Sequence, residues 1–192
     1  MVELSAAVNG RRTVRRFKQI QVKECEIRTM LDAARLSSSG GNMQPLRYIV
    51  VQTTELVSRI FENTAWGGLV RPRRNPEPGN TAPLTFIAVV SSRDGSNILH
   101  ADAGAAMQSM TLAAYSLGIG CCWLGAFKRE NVDMILELPE DTTVIYLLAA
   151  GYPDEAPVLE DIAAGMPVNY YLDDNDVLHV PTFTVDAITQ WR

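Results

Sequence analysis

Apolar residues recur every three or four positions between Lys23 and Leu36, at Ile27, Met30, Leu31 and Ala34. That spacing predicts an amphipathic helix. Residues 2–9 predict a short helix ended by Asn9-Gly10, and Glu55 to Asn63 predicts another. A longer one is expected from Asp102 to Leu117, where Ala103, Ala106, Met107, Met110, Ala113 and Ala114 leave few polar faces. A helix apolar on most sides is buried, and Gly118 is placed to end it. Arg129 to Leu136 predicts a further helix. Unbroken apolar runs predict strands over Arg47–Val51, Leu84–Val90, the segment IGCCWLGAF and Thr143–Ala150. Residues 66–84 are rich in Pro, Gly and Arg and read as a loop, long enough to suggest a functional one. From Gly151 onwards the chain is Pro-rich and acidic with short apolar pieces. It reads as a tail too apolar for disorder and too thin to own a core.

The 192 residues are 47% hydrophobic and 20% charged, which suits one globular domain. A net charge of −5 argues against nucleic acid as the main partner. The charges are unevenly spread. Thirteen of the seventeen Lys and Arg lie between Arg11 and Arg74, whereas residues 130–191 hold thirteen Asp and Glu and no Lys or Arg. The basic part is able to attract a small anion; mutual neutralisation of the two halves explains the pattern equally well. Three cysteines, Cys25, Cys121 and Cys122, form no paired framework and read as free thiols, mostly buried. Two histidines make a His-rich metal site improbable. With no signal-like start and no run of 18 apolar residues, the expectation is a cytoplasmic chain with no membrane partner.

Common catalytic motifs are missing. The sequence has no phosphate-binding G-x-x-x-x-G-K-[ST] loop and no G-x-S-x-G nucleophile turn. GIGCCW begins like a dinucleotide fingerprint, but Trp123 stands at the third glycine and the segment runs from helix to strand, the reverse of the required order.

Two segments carry chemistry. RRTVRRF (residues 11–17) sets Arg11, Thr13 and Arg15 on one side if the chain is extended. Guanidinium forks match phosphate oxygens, although a solvated basic turn explains the segment on its own. SSSGGNMQP (residues 37–45) offers Ser39, Asn42 and Gln44 beside backbone freed by Gly40 and Gly41. Amide side chains both donate and accept, which suits a heterocycle edge with alternating C=O and N–H groups. A capped turn between helix and strand explains that segment equally. Taken together, they describe a ligand with a phosphate at one end and a planar donor–acceptor edge at the other, as in FMN.

RRTVRRF, SSGGNMQP, DAGAAMQSMTLAAYSLGIGCCWLG and GYP, in this order and spacing, resemble the FMN-dependent nitroreductase family over about residues 5–153, with weaker similarity through YYLDDNDVLHVP. The resemblance implies an α+β, three-layer α/β/α fold with a central mixed sheet. It implies a single domain over residues 1–192, in which about 154–192 form an extension exchanged with a partner subunit. It also implies a homodimer with flavin at the interface. Arg11, Arg12 and Thr13 would meet the FMN phosphate and ribityl chain. Arg15 would lie towards N1 and the C2 carbonyl, where a cation stabilises the reduced ring. Ser38, Ser39 and Asn42 would border the ring from the partner subunit, with Gln44 in the same motif. Leu124 and Gly125 would bring backbone N–H groups towards N5 and O4. The Asp102–Leu117 helix would form the dimer core, although burial within one chain explains its small residues as well.

The implied activity is ping-pong hydride transfer from NADH or NADPH to electron-poor small molecules such as nitroaromatics or quinones, with no catalytic acid–base side chain. A reductase dedicated to one metabolite, a dehalogenase or an enone reductase, is the alternative within the flavin class. A non-catalytic flavin-binding protein and a cofactor-free structural dimer lie outside it. The sequence departs from many relatives in having Ser38 for Pro and Leu46 for an aromatic residue. It also lacks a basic phosphate anchor near the C-terminus, where only Arg192 is available. Arg71, Arg73 and Arg74 are candidates to replace that anchor, to cover the flavin, or to lie in solvent.

Overall fold

Two strands of almost continuous apolar sequence make the centre of the molecule: β2 (Thr85–Ser92) and β4 (Thr142–Gly151). Both faces of each are covered, as such unbroken apolar strands require. The computed structural model describes residues 3–68, 70, 75–92 and 97–192. The sheet also contains β1 (Arg47–Val51) and β3 (Gly120–Leu124), and its order is β1-β2-β4-β3. All three pairings are antiparallel, with Ile49 opposite Ala88, Ile87 opposite Leu148 and Cys122 opposite Ala149. A parallel contribution enters at the β3 edge, through a bridge between Thr13 and Cys121.

Side-chain alternation divides the core in two. Ile87 and Val89 of β2, Ile145 and Leu148 of β4, and Cys121 face one helix layer. That layer is α2 (Glu24–Arg35), which contributes Ile27, Met30 and Ala34, and α4 (Asn97–Ser116), which contributes Leu99, Ala103, Ala106, Met107 and Met110. Phe86, Ala88, Val144, Leu147, Cys122 and Leu124 face the other layer. It holds α3 (Thr54–Glu62), with Val57 and Ile60, and α5 (Arg129–Ile135), with Val132 and Ile135. The architecture is therefore the expected three layers. A bulge between Val89 and Val90 shifts the register against β4, so the alternation of the two strands slips by one residue there.

Helix ends follow local chemistry. Glu26 accepts a hydrogen bond from Lys23 N at 2.9 Å and secures the start of α2. Gly118, at φ 75°, closes α4, and the Ile119 amide returns to Ala114 O at 2.9 Å. The buried Asp133 of α5 accepts from Thr143 Oγ1 at 2.8 Å and Val144 N at 2.9 Å, tying that helix to β4. A first helix, α1 (Leu4–Gly10), packs on α4. Among the described residues, no helix is long and apolar enough to cross a membrane.

The tail folds as a unit. β5 (Val158–Ile162), β6 (Tyr171–Leu172) and β7 (Leu178–Phe183) make a second sheet in the order β5-β7-β6, with β5 and β7 parallel, followed by a turn of helix α6 (Val185–Ile188). Only Ile162 and Leu178 of this unit are buried, so it owns scarcely any core.

The cysteines sit as their sequence suggests: Cys25 is exposed, while Cys121 and Cys122 are buried on opposite faces of β3. Burial pushes the Cys121 thiol up to about 12 and the Cys122 thiol up to about 11. Thiolate is the reactive form, so both are inert near neutrality. Iodoacetamide on the native protein at pH 7.5 should give one adduct, on Cys25, by mass spectrometry; labelling of Cys121 without unfolding would contradict this.

Candidate functional site

The basic segment that follows α1 is laid against β3 by packing. Gly120 makes the approach possible, because a Cβ there would lie 2.7 Å from Val14 Cβ. Gly151 does the same for Phe17, whose Cδ1 would be 2.9 Å from an added Cβ. Val14 N donates to Cys121 O at 3.0 Å and Phe17 N to Thr81 O at 2.9 Å. Glu155 accepts from the backbone amides of Arg15 and Arg16.

Successive residues along this segment open onto different sides of β3. Arg11 and Arg12 line a cavity of about 590 Å3 with Tyr115, Cys121 and Pro157. Burial, and then the charge of Arg11, pull the Arg12 guanidinium below its ordinary value. Its Nε is buried without a hydrogen-bond partner among the described residues. On the other side, Arg15 lines a cavity of about 230 Å3 with Trp123, Leu124, Gly125, Gly68 and Tyr170. The Arg15 guanidinium carbon lies 5.6 Å from the centre of the Tyr170 ring. Leu124 is buried in the core and borders the cavity as well. Gly125 has no positive φ, and a Cβ there would meet nothing closer than Tyr146 at 3.6 Å. The chain itself therefore does not require glycine at 125.

The polar turn is elsewhere. Ser38, Ser39 and Gln44 line a third cavity, of about 190 Å3, with Tyr48, Asp102 and Ala106. Gly41, Asn42 and Gln44 have φ of 57°, 54° and 47°. Asn tolerates this left-handed region, whereas Gln adopts it seldom; such conformations gather at functional sites. Gln44 Nε2 donates to Asn42 Oδ1 at 3.1 Å. The turn enters β1, one edge of the sheet, and the arginines lie on β3, the other edge. Three strand spacings of about 4.8 Å separate those edges. One chain thus distributes the predicted residues among separate cavities rather than one. Arg71, Arg73 and Arg74 lie outside the described residues, and Arg192 is exposed at the chain end.

Sequence reasoning passed over three neighbours of these cavities. Asp102 is buried and bonded to Ser39 and Gly40. Its signal was available: a carboxylate within a helix expected to be buried needs partners. Trp123 packs edge-on against Tyr146, at 5.0 Å between ring centres, and Tyr146 OH meets His100 Nδ1 at 3.1 Å. Tyr170 comes from the tail, where no periodicity announced it.

The sequence model of the nitroreductase family matches residues 8–152. A protein of Archaeoglobus fulgidus, whose assigned name is NADH dehydrogenase/NAD(P)H nitroreductase, is 30% identical over 160 residues, covering 81% of this chain and 88% of its own. A nitroreductase-assigned protein of Desulfovibrio desulfuricans, solved in complex with FMN, superimposes with a TM-score of 0.66 at 27% identity, covering 88% of this chain and 94% of that one. A nitroreductase family protein of Clostridium novyi shares the fold, with a TM-score of 0.67 at 22% identity over 80% of this chain and 86% of its own. The chain belongs to the nitroreductase family.

Proposed function

We propose that this chain is an FMN-dependent NAD(P)H oxidoreductase that works as a homodimer in the cytoplasm. The observation that carries the reading is the cavity in which Arg15 stands beside Leu124 and Gly125. It joins a fixed cation to backbone that a planar ligand can approach closely. Arg11, Arg12 and Thr13 would hold the phosphate and ribityl chain, at the cavity that Arg11 and Arg12 line. Ser38, Ser39, Asn42 and Gln44 would border the ring from the second subunit. The placement of the polar turn and the arginines on opposite edges of the sheet favours two copies over one. Residues 154–192 would reach that copy as an extension of the one domain through their distal end, while Glu155 and Tyr170 stay on their own chain's basic segment. Val185, Ile188 and Trp191 are 69%, 70% and 89% exposed and await a surface.

Bound FMN would supply the redox chemistry, accepting hydride from NADH or NADPH and passing electrons in ping-pong order to a small electron-poor acceptor such as a nitroaromatic or a quinone. The protein's part is to grip the anionic end, place a positive charge by the ring and keep the ring edge hydrogen-bonded. No partner in nucleic acid or membrane is needed. Purified protein should be yellow, and NADH or NADPH without air should bleach it. Lasting colour would make it a flavin-binding module; colourless protein that takes up no FMN would end the proposal.

Gly125 gives a sharper check. An alanine there meets only ordinary contacts within the chain, so Gly125→Ala should fold with an unchanged melting temperature yet hold FMN more weakly, by roughly tenfold for one lost backbone contact. A fluorescence titration equal to the parent's would remove Leu124 and Gly125 from the site.

A further inference from the structure

We propose that Asp102 is a positioning residue that turns Ser39 into an acceptor for a ligand N–H donor; this rests on the reading that the polar turn borders a flavin. Asp102 lies in α4, one turn inside the helix, and is 7% exposed. Its Oδ1 accepts from Gly40 N at 2.9 Å and its Oδ2 from Ser39 Oγ at 3.0 Å. A carboxylate only accepts, so the Ser39 hydroxyl proton is committed to Asp102. Gln44 N in turn donates to Ser39 Oγ at 3.0 Å. A serine hydroxyl has one proton and two lone pairs. With the proton and one lone pair used, Ser39 can offer a ligand one lone pair and no donor. The same three bonds fix both ends of the turn, from Gly40 to Gln44, upon α4. The region around Gly40 has no slack, since a Cβ there would lie 2.4 Å from Ile98 Cγ2.

The pyrimidine edge of isoalloxazine carries a single N–H, at N3, between two carbonyls. Ser39 held this way would suit that N–H and would repel a carbonyl. The flanking carbonyls stay with Arg15 and the Leu124–Gly125 backbone of the other subunit, which leaves the N3–H for Ser39.

Asp102→Asn reverses the polarity while keeping size. The amide oxygen still accepts from Gly40 N. The amide nitrogen now donates to Ser39 Oγ, and the hydroxyl proton is freed to point at the ligand. The test is a fluorescence titration of the dimer with FMN and with its N3-methyl analogue, for the parent, D102N, S39A and the double variant. The parent should prefer FMN, and D102N and S39A should each reduce that preference about tenfold, the effect of one hydrogen bond. The double variant should be no worse than the weaker single one. If D102N weakens both flavins by the same factor, Asp102 merely shapes the turn and the polarity assignment is wrong. If the losses multiply in the double variant, Asp102 does not act through Ser39. A D102N protein that binds as the parent does overturns only this inference. A parent that takes up no FMN overturns the flavin reading and this inference with it.

Discussion

Phe17→Ala should destabilise the protein by about 3–5 kcal/mol, the usual range for emptying a buried phenylalanine site. Phe17 is fully buried and packs in the layer with Phe86, Leu147 and Ala149. For a chain of this size the loss corresponds to a fall of roughly 6–20 °C in melting temperature. The residue ends the basic segment and is what anchors it. Its amide is bonded to Thr81 O, it bridges to Pro153, and Lys18 N donates to Tyr152 O at 2.8 Å just beyond. Loss of the ring should therefore loosen Arg15 and Arg16 before the rest of the sheet opens. FMN affinity should fall along with stability, and saturating FMN should restore part of the melting temperature, because a ligand bound only by the folded state stabilises it. A change below about 1 kcal/mol would mean that the segment is held by its backbone bonds alone. Calorimetry with and without FMN separates the two.

How far the sequence discloses this molecule depends on the distance over which each feature is determined. The helix at Glu24–Arg35 and the strand at Arg47–Val51 fall within a residue of where periodicity puts them, because each is set by its own apolar spacing. The long helix is already formed at Asn97, the first described residue of its segment and five residues before Asp102. Leu99 continues the inward face with Ala103 and Ala106, a turn that composition alone understates. Sheet order is not local. Neither the antiparallel run β1-β2-β4-β3 nor the parallel β5–β7 pair of the tail leaves a mark in any single segment. The candidate site divides similarly. RRTVRRF announces its cations, yet only the register with Cys121 decides that Arg12 and Arg15 open on opposite sides of β3. Tyr170 reaches Arg15 only through the folded tail, so its part was hidden.

Replacement of Arg15 bears on chemistry where that of Phe17 bears on the fold. Arg15 is partly exposed and fills no core, so Arg15→Ala should leave the melting temperature of the flavin-free protein close to the parent's. Its guanidinium shares a cavity with Leu124 and Gly125, where a ring edge carrying negative charge in its reduced form would lie. A hydrogen bond to a charged group contributes about 1.5–3 kcal/mol, so FMN should bind roughly 10–100 times more weakly. The charge favours the reduced ring over the oxidised one, which gives the effect a sign. Without it the midpoint potential should move negative, by on the order of 30 mV for each tenfold difference between the two redox states in a two-electron couple. Arg15→Lys keeps the charge and loses the fork, so it should recover the potential better than the affinity. Spectroelectrochemistry on the three proteins reads this directly. If the alanine variant holds FMN as tightly as the parent and at the same potential, the cation beside Leu124 and Gly125 serves something other than a flavin. Tyr170, whose ring already faces that guanidinium, would then be its working partner, and the tail would be the element to pursue.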